Sequence, residues 1–172
     1  MSSHFVEPRK PPPGISSFTK IRLGWISPNQ VLLVKPGETR RTFLSPLSEN
    51  GKILAIKIPL QSGHYYLVEN RQPLGFDRIL PDSGILILKV NPDVEEGSGT
   101  VKVMDADPNA TNFSHATFRA DRKNRNVFID RKNDLAVLPL GPKGGDQGVL
   151  VTTPDRIPDD LSVLNKRSPK NY

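Results

Sequence analysis

Two carboxylates and an arginine stand close together near the middle of the chain and could carry chemistry. Glu69 and Asp77 form a pair of acidic residues of the kind that glycoside hydrolases use for acid and base or nucleophile roles. We favour a structural interpretation, because Glu69 and Arg71 lie two positions apart on a predicted strand and therefore point to the same face. Asp77 follows Gly75 in a turn-rich stretch and is suited to accepting hydrogen bonds from loop backbone. We expect Glu69, Arg71 and Asp77 to brace the 69–84 connection and to be largely buried.

A second group of oxygen-bearing side chains could bind calcium. Acidic and amide side chains alternate with other residues, as in the first half of a calcium-binding loop, at Asp105, Asp107 and Asn109. Ala110 stands where an EF-hand needs its glycine, and Ala116 stands where it needs a bidentate glutamate, so an EF-hand is excluded. An irregular calcium site remains open beside the simpler alternative, an Asx-turn loop stiffened by Pro108.

The three histidines do not form a recognisable metal site. His4, His64 and His115 are far apart in sequence, and none is followed by glutamate. A zinc peptidase motif needs two histidines four positions apart on one helix face with a glutamate between them. The chain has no cysteine, no Gly-x-Ser-x-Gly elbow and no phosphate-binding Gly-Lys-Ser/Thr loop. We therefore expect no catalytic residues and, apart from the open calcium question, no cofactor.

Short apolar runs rich in Val, Ile and Leu recur at roughly the 8–12-residue spacing of an all-β sandwich or barrel. Turn dipeptides such as Pro36-Gly37 and Asn50-Gly51 separate several of them. Nine short strands are predicted, at 30–35, 40–44, 52–58, 65–68, 84–90, 100–104, 127–130, 134–140 and 148–152. The predicted fold class is all-β, a β-sandwich with one short N-terminal helix and Pro-rich tails.

The helix is predicted over 15–23, before Gly24. Four apolar residues could share one broad side of it: Ile15, Phe18, Ile21 and Trp25. Either this side folds back onto the sandwich, or the chain self-associates through it. We favour folding back, because a short helix is marginal without tertiary contacts, and we expect Trp25 to be a packing residue.

Composition limits the classes of partner. The domain is predicted over 15–153, between a flexible Pro-rich arm at 1–14 and a polar Pro-rich tail at 154–172. The net charge is +6, from 24 Lys and Arg against 18 Asp and Glu. The internal basic stretch 119–131 also contains acidic residues and is interpreted as a solvated, charge-mixed hairpin, so we expect no nucleic-acid partner. No apolar run approaches the ~20 residues of a membrane span, and the polar N-terminus does not have the pattern of a signal peptide.

The central stretch resembles a known family. Three motifs carry the resemblance, Tyr66-Leu-Val-Glu-Asn-Arg-Gln72, Gly75-Phe-Asp77 and Leu80-Pro-Asp-Ser-Gly-Ile-Leu-Ile87. They resemble a segment of the immune inhibitor A-type secreted zinc metallopeptidases, in a β-rich domain downstream of the catalytic zinc helix. Lys20-Ile-Arg-Leu-Gly-Trp-Ile26 resembles the junction where the catalytic domain of that family ends. The resemblance covers roughly 16–90.

The resemblance implies a non-catalytic accessory domain that derives from a secreted protein and is separated from its peptidase half. The implied partner is a metallopeptidase catalytic domain, with self-association as the other possibility. The alternative function is a free-standing β-sandwich module that binds carbohydrate or protein. Such a module should present at least two exposed aromatic residues on one face. Aromatic residues make up only 6% of the chain, and the adjacent Tyr65 and Tyr66 point to opposite faces of their strand.

Overall fold

A computed structural model describes residues 12–95 and 97–161 and shows an all-β fold of two stacked sheets. The elements, in chain order, are α1 (Ser17–Arg22), β1 (Val31–Leu33), β2 (Arg40–Leu44), β3 (Ala55–Pro59), β4 (Tyr65–Arg71), β5 (Gly84–Val90), β6 (Val101–Val103), β7 (Phe128–Asp130), β8 (Leu135–Lys143) and β9 (Asp146–Thr152). The first sheet has the order β1-β3-β4-β5-β6 and the second β2-β9-β8-β7. The predicted sandwich of nine strands with one short helix is therefore confirmed.

The core lies between the two sheets and follows from the alternation of side chains along each strand. On β4, Tyr66 and Val68 point into the core, whereas Leu67 points to the outer face. β-branched and aliphatic residues from the two sheets fill the space between them, including Ile56, Ile58, Ile85, Ile87, Leu135, Val137, Val149 and Val151. This burial of apolar surface is the main force that holds the two sheets together.

Strand pairing builds the first sheet around β4. β3, β4 and β5 form an antiparallel set in which Ala55 lies opposite Glu69 and Arg71 lies opposite Gly84. β1 joins the outer side of β3 in parallel. β2, which lies between them in the chain, belongs to the other sheet and pairs with β9. The chain therefore crosses between the sheets before the first sheet is complete.

Helix α1 covers part of the outer face of the first sheet. Phe18 and Ile21 are half-buried and pack against Leu67, Leu88 and Val90. The helix has only 6 residues, so these contacts are needed to stabilise it. Within the described ranges, no helix is long and apolar enough to cross a membrane.

The packing extends beyond both ends of the predicted domain. Pro13 is buried although it falls in the predicted arm 1–14. In the predicted tail 154–172, Ile157 and Leu161 pack on the outer face of β8. The remainder of the predicted arm, with His4, and the remainder of the predicted tail lie outside the described residues.

Trp25 does not pack as expected, since its side chain is 66% exposed. The reason is the turn that ends α1. Gly24 adopts a left-handed conformation with φ +71°, and the Trp25 N–H then donates to the Lys20 carbonyl over 2.8 Å. This turn directs Ile26 into a small cluster with Leu47 and Leu54 and leaves Trp25 facing solvent.

Candidate functional site

Three charged side chains meet on the outer face of the first sheet and form what we call the backbone clamp: Glu69, Arg71 and Asp77. Glu69 and Arg71 lie on the same face of β4, and a 3-10 helix, Gly75–Ile79, brings Asp77 to them. Arg71 Nη1 lies 3.2 Å from Glu69 Oε1, and Arg71 Nη2 lies 2.8 Å from Asp77 Oδ1. All three side chains are buried. One guanidinium group therefore links two carboxylates inside the protein.

The clamp binds the main chain of the N-terminal segment. The Ser17 N–H donates to Glu69 Oε2 over 2.7 Å, and the Gly14 N–H donates to Asp77 Oδ1 over 3.0 Å. Arg71 Nη2 donates to the Gly14 carbonyl over 2.7 Å. These bonds fix the path of the chain immediately before α1.

Close approach of the backbone explains the glycine at position 14. A Cβ atom placed there would lie 2.6 Å from Asp77 Oδ1. Any other residue would push the carboxylate away from the Gly14 N–H and disturb its ion pair with Arg71. The clamp therefore requires a glycine at position 14, although this position lies outside β4, the strand that carries Glu69 and Arg71.

Burial controls the electrostatics of this site. It raises the pKa of Asp77, although the Arg71 guanidinium and the Gly14 N–H oppose that effect. Burial also lowers the pKa of Lys20, whose ammonium donates to the Leu47 carbonyl over 2.6 Å. Lys20 extends the set of charges around the clamp and ties α1 to the loop after β2.

The clamp is poorly arranged for acid and base catalysis. Glu69 Oε1 accepts from Arg71 and Glu69 Oε2 accepts from Ser17, so both oxygens of this carboxylate already have partners. Asp77 Oδ1 is shared by Arg71 and Gly14. A general acid or base has to reach the proton that it transfers, and these carboxylates are turned towards main chain.

A second, partly buried ion pair was missed by sequence reasoning. Arg125 lies in the stretch 119–131, which was expected to be solvated, yet it is 7% exposed. Its Nη1 atom lies 2.6 Å from Asp82 Oδ2 and donates to the His115 carbonyl over 3.0 Å. The Thr117 hydroxyl donates to the same Asp82 oxygen over 2.7 Å. The expectation of a solvated hairpin was therefore wrong at Arg125, which is drawn inward to pair with the partly buried Asp82 carboxylate.

This second pair holds the loop before β7 against β5. At their junction, Gly84 has φ +147°, and a Cβ atom there would lie 2.7 Å from the Phe118 carbonyl oxygen. Ile85 and Phe118 exchange backbone hydrogen bonds of 3.0 Å and 2.8 Å. Gly84 was the sequence signal for this contact, because a glycine at the end of a strand often marks a close approach of two backbone segments.

Two of the three residues considered for calcium already have partners within the protein. Asp105 Oδ1 accepts from the Asp107 N–H over 3.0 Å, which is an Asx turn. Asp107 Oδ2 lies 3.5 Å from His115 Nδ1, and Asn109 is exposed. Within 12–95 and 97–161, no group of three or more His, Cys, Asp or Glu side chains could hold a metal ion. Calcium binding at this loop stays a prediction from the sequence.

The four apolar residues predicted to share one side of the helix differ in burial. Ile15, Phe18 and Ile21 are half-buried, and the Ile15 carbonyl accepts from Arg71 over 3.3 Å. Trp25 is exposed in the turn after the helix, and Phe76, 70% exposed, lies in the 3-10 helix that carries Asp77.

Comparison of the chain with protein-family models, with curated proteins and with solved structures finds no match.

Proposed function

We propose that this chain is a non-catalytic accessory domain, similar to the β-rich part of an immune inhibitor A-type zinc metallopeptidase. The observation that carries the proposal is the backbone clamp. Its residues, Glu69, Arg71 and Asp77, belong to the motifs that resemble that family. They bind the segment Gly14 to Ser17, just before the stretch that resembles the end of the catalytic domain.

The clamp sets the direction of the incoming chain. A free linker would need no buried charges, because desolvating each of them costs several kcal/mol unless it is well paired. Here three charged groups are desolvated and their bonds go largely to main-chain atoms of the N-terminal segment. Such an arrangement fixes where the preceding polypeptide leaves the sandwich. A catalytic domain attached there would be held in a defined orientation.

The apolar surface at the end of α1 supports the same proposal. Leu23 and Trp25, 54% and 66% exposed, follow α1 directly. Exposed apolar side chains grouped beside a chain junction are typical of a surface that a partner covers. We therefore assign the contact with the catalytic domain to this turn.

The test is binding between separately purified components. The chain is titrated calorimetrically with the catalytic domain of a peptidase of the resembled family. We expect a complex that Trp25→Asp weakens at least about tenfold, as for loss of a central apolar contact. The matched control is Ile129→Asp, an exposed apolar position on the other sheet, which should leave binding unchanged.

The same preparation tests the non-catalytic assignment. The isolated chain should not cleave casein with or without added zinc, because its sequence has no His-Glu-x-x-His motif. Zinc-dependent cleavage that a chelator abolishes would overturn the assignment. Failure of the parent chain to bind the catalytic domain would contradict the accessory role.

A binding module is the second candidate, and one observation favours it. Trp25 and Phe76 are both strongly exposed, and the loops that carry them both border the segment after β2. Ile26 packs on Leu47, while Gly75 lies beside Ser48. Aromatic rings at such positions could stack on sugar rings. Retention of the chain on an insoluble polysaccharide, lost in both Trp25→Ala and Phe76→Ala, would support this candidate over the first.

A further inference from the structure

A separate pocket opens on the side of the sandwich, between β5 of one sheet and β7 of the other. We call it the Tyr66 pocket. It has a volume of about 530 Å³ and is lined by Tyr66, Lys89, Met104, Phe128, Ile129, Asp130 and Arg131. None of these residues belongs to the backbone clamp or to the turn proposed as a domain contact.

The carboxylate in this pocket already accepts three hydrogen bonds. Asp130 Oδ2 accepts from the Tyr66 hydroxyl over 2.7 Å and from Asn133 Nδ2 over 2.6 Å. Asp130 Oδ1 accepts from the Asn133 N–H over 3.3 Å. Burial would raise the pKa of Asp130, but these hydrogen bonds and the charge of Lys89 outweigh it and hold the pKa below its usual range. Asp130 therefore remains ionised, and its strongest acceptor positions are occupied.

The pocket has two cationic side chains, Lys89 and Arg131. Lys89 Nζ lies 5.7 Å from the centre of the Tyr66 ring, and Arg131 follows Asp130 at the rim. Among the residues that the structure describes, neither cation forms an ion pair within 4.0 Å. The groups in the pocket that can still form hydrogen bonds are therefore mainly donors, those of Lys89 and Arg131.

The walls add an apolar component. Phe128 packs edge-on against Tyr66 with ring centres 5.3 Å apart, and Met104 and Ile129 complete the lining. A sugar would require acceptors as well as donors, and the Tyr66 hydroxyl hydrogen and the Asp130 oxygens are already committed. An anion with a compact apolar body matches both the donors and the walls.

We propose that the Tyr66 pocket binds a small organic carboxylate, with Lys89 and Arg131 as its donors and Met104, Phe128 and Ile129 as its apolar wall. The guanidinium group of Arg131 suits a carboxylate because its parallel N–H groups can bind both oxygens. The net charge of +6 favours approach of an anion. This site is independent of the proposed accessory role.

The experiment is an NMR titration of the full chain with benzoate and, as a neutral probe of the same shape, benzamide. We expect saturable benzoate shifts centred on Tyr66, Met104 and Phe128, and much weaker shifts with benzamide. Lys89→Gln and Arg131→Gln should each reduce benzoate affinity about tenfold, the loss expected for a charge-assisted hydrogen bond. Lys132→Gln, on the exposed next residue, is the matched control and should bind as the parent does.

Further variants keep the result interpretable. Lys89→Arg retains the charge and should retain most of the affinity, which separates loss of a donor from damage to the fold. Phenyl phosphate, tested in parallel, shows whether the pocket discriminates between anionic groups, and tighter binding of it than of benzoate would overturn the assignment to carboxylates. Equal binding of benzoate and benzamide, or unchanged affinity in Lys89→Gln and Arg131→Gln, would overturn the site.

Discussion

Glu69 Oε2 accepts a hydrogen bond of 2.7 Å from the main-chain N–H of Ser17, the first residue of α1. The preceding residue, Ser16, makes no side-chain capping bond. A carboxylate from the sheet therefore satisfies one of the unpaired N–H groups that every helix start leaves. The helix depends on the sheet for its first turn, and the buried carboxylate depends on the helix for one of its partners.

Removing one member of the backbone clamp should strongly destabilise the protein. Glu69→Ala leaves Arg71 without one of its two carboxylates, and Arg71→Ala leaves both carboxylates buried without a cation. Breaking such a buried pair from one side costs about 3–5 kcal/mol, which corresponds to a fall in Tm of roughly 6–20 °C for a chain of this size. Calorimetric melting of each variant beside the parent measures it.

The control for this prediction is Arg78→Ala, because Arg78 is exposed on the same 3-10 helix as Asp77. Its melting temperature should stay close to that of the parent. If Glu69→Ala and Arg71→Ala melt as Arg78→Ala does, the clamp does not brace the structure. Its charges would then be free for a binding role.

Phe18→Asp should destabilise the folded chain without changing its association state. Phe18 packs on Leu67 and Leu88, and a carboxylate there would lose this apolar contact and be partly desolvated against the sheet. Sedimentation should show a monomer for the parent, and thermal melting should show a clear loss of stability for the variant. Trp25→Asp, at an exposed position, is the control and should leave the melting temperature nearly unchanged. A parent dimer that Phe18→Asp converts into a stable monomer would instead identify α1 as an interface.

Arg125→Ala should loosen the loop between β6 and β7. The change removes the closer cation of the Asp82 carboxylate and leaves only the more distant Arg119, at 3.9 Å, beside it. The expected loss is about 1–3 kcal/mol of unfolding free energy, measured by urea titration. Arg122→Ala, at an exposed position three residues earlier, should cost less than about 0.5 kcal/mol. Equal stability of the two variants would show that the Asp82 and Arg125 pair contributes nothing.

Asp130 should contribute stability that disappears in acid. Its hydrogen bonds from Tyr66 and Asn133 and the Lys89 charge hold its pKa below the ordinary value of 3.8, against the opposing effect of burial. An acid with a lowered pKa in the folded state stabilises the fold above its unfolded pKa and loses that effect as the pH falls through the folded pKa. Asp130→Asn should therefore be less stable than the parent at pH 7, with the difference shrinking below about pH 4. A difference that is constant across pH would contradict this linkage.

Sequence reasoning succeeded where the information was local. The strands follow from apolar runs and turn residues, as on β5, whose predicted bounds 84–90 agree with the structure. Glu69 and Arg71 are neighbours because residues two apart on a strand share a face. The predicted strands 30–35 and 100–104 extend beyond β1 and β6 at both ends, whereas the predicted strand 65–68 stops three residues before the end of β4.

It failed where the outcome depended on contacts far along the chain. Nothing in the sequence joins Asp82 to Arg125, which are 43 positions apart. The contact of the Gly14 main chain with Asp77 is equally long-range, since the two residues are 63 positions apart. Trp25 was expected to be a packing residue because of its residue type, but the left-handed turn at Gly24 leaves it exposed. Burial tendencies describe residue types and contain no information on the direction of a particular turn.

The pairing of β2 with β9 has a consequence for how the chain folds. Thr39 and Thr152, at one end of this pair, contact each other across 113 positions of sequence. Closing so long a loop costs conformational entropy before any contact compensates for it, so proteins rich in such pairings fold slowly. During synthesis, β2 has no partner strand until nearly the whole domain has left the ribosome. Until then its free edge is open to pairing with another chain, and we expect refolding yields to fall as protein concentration rises.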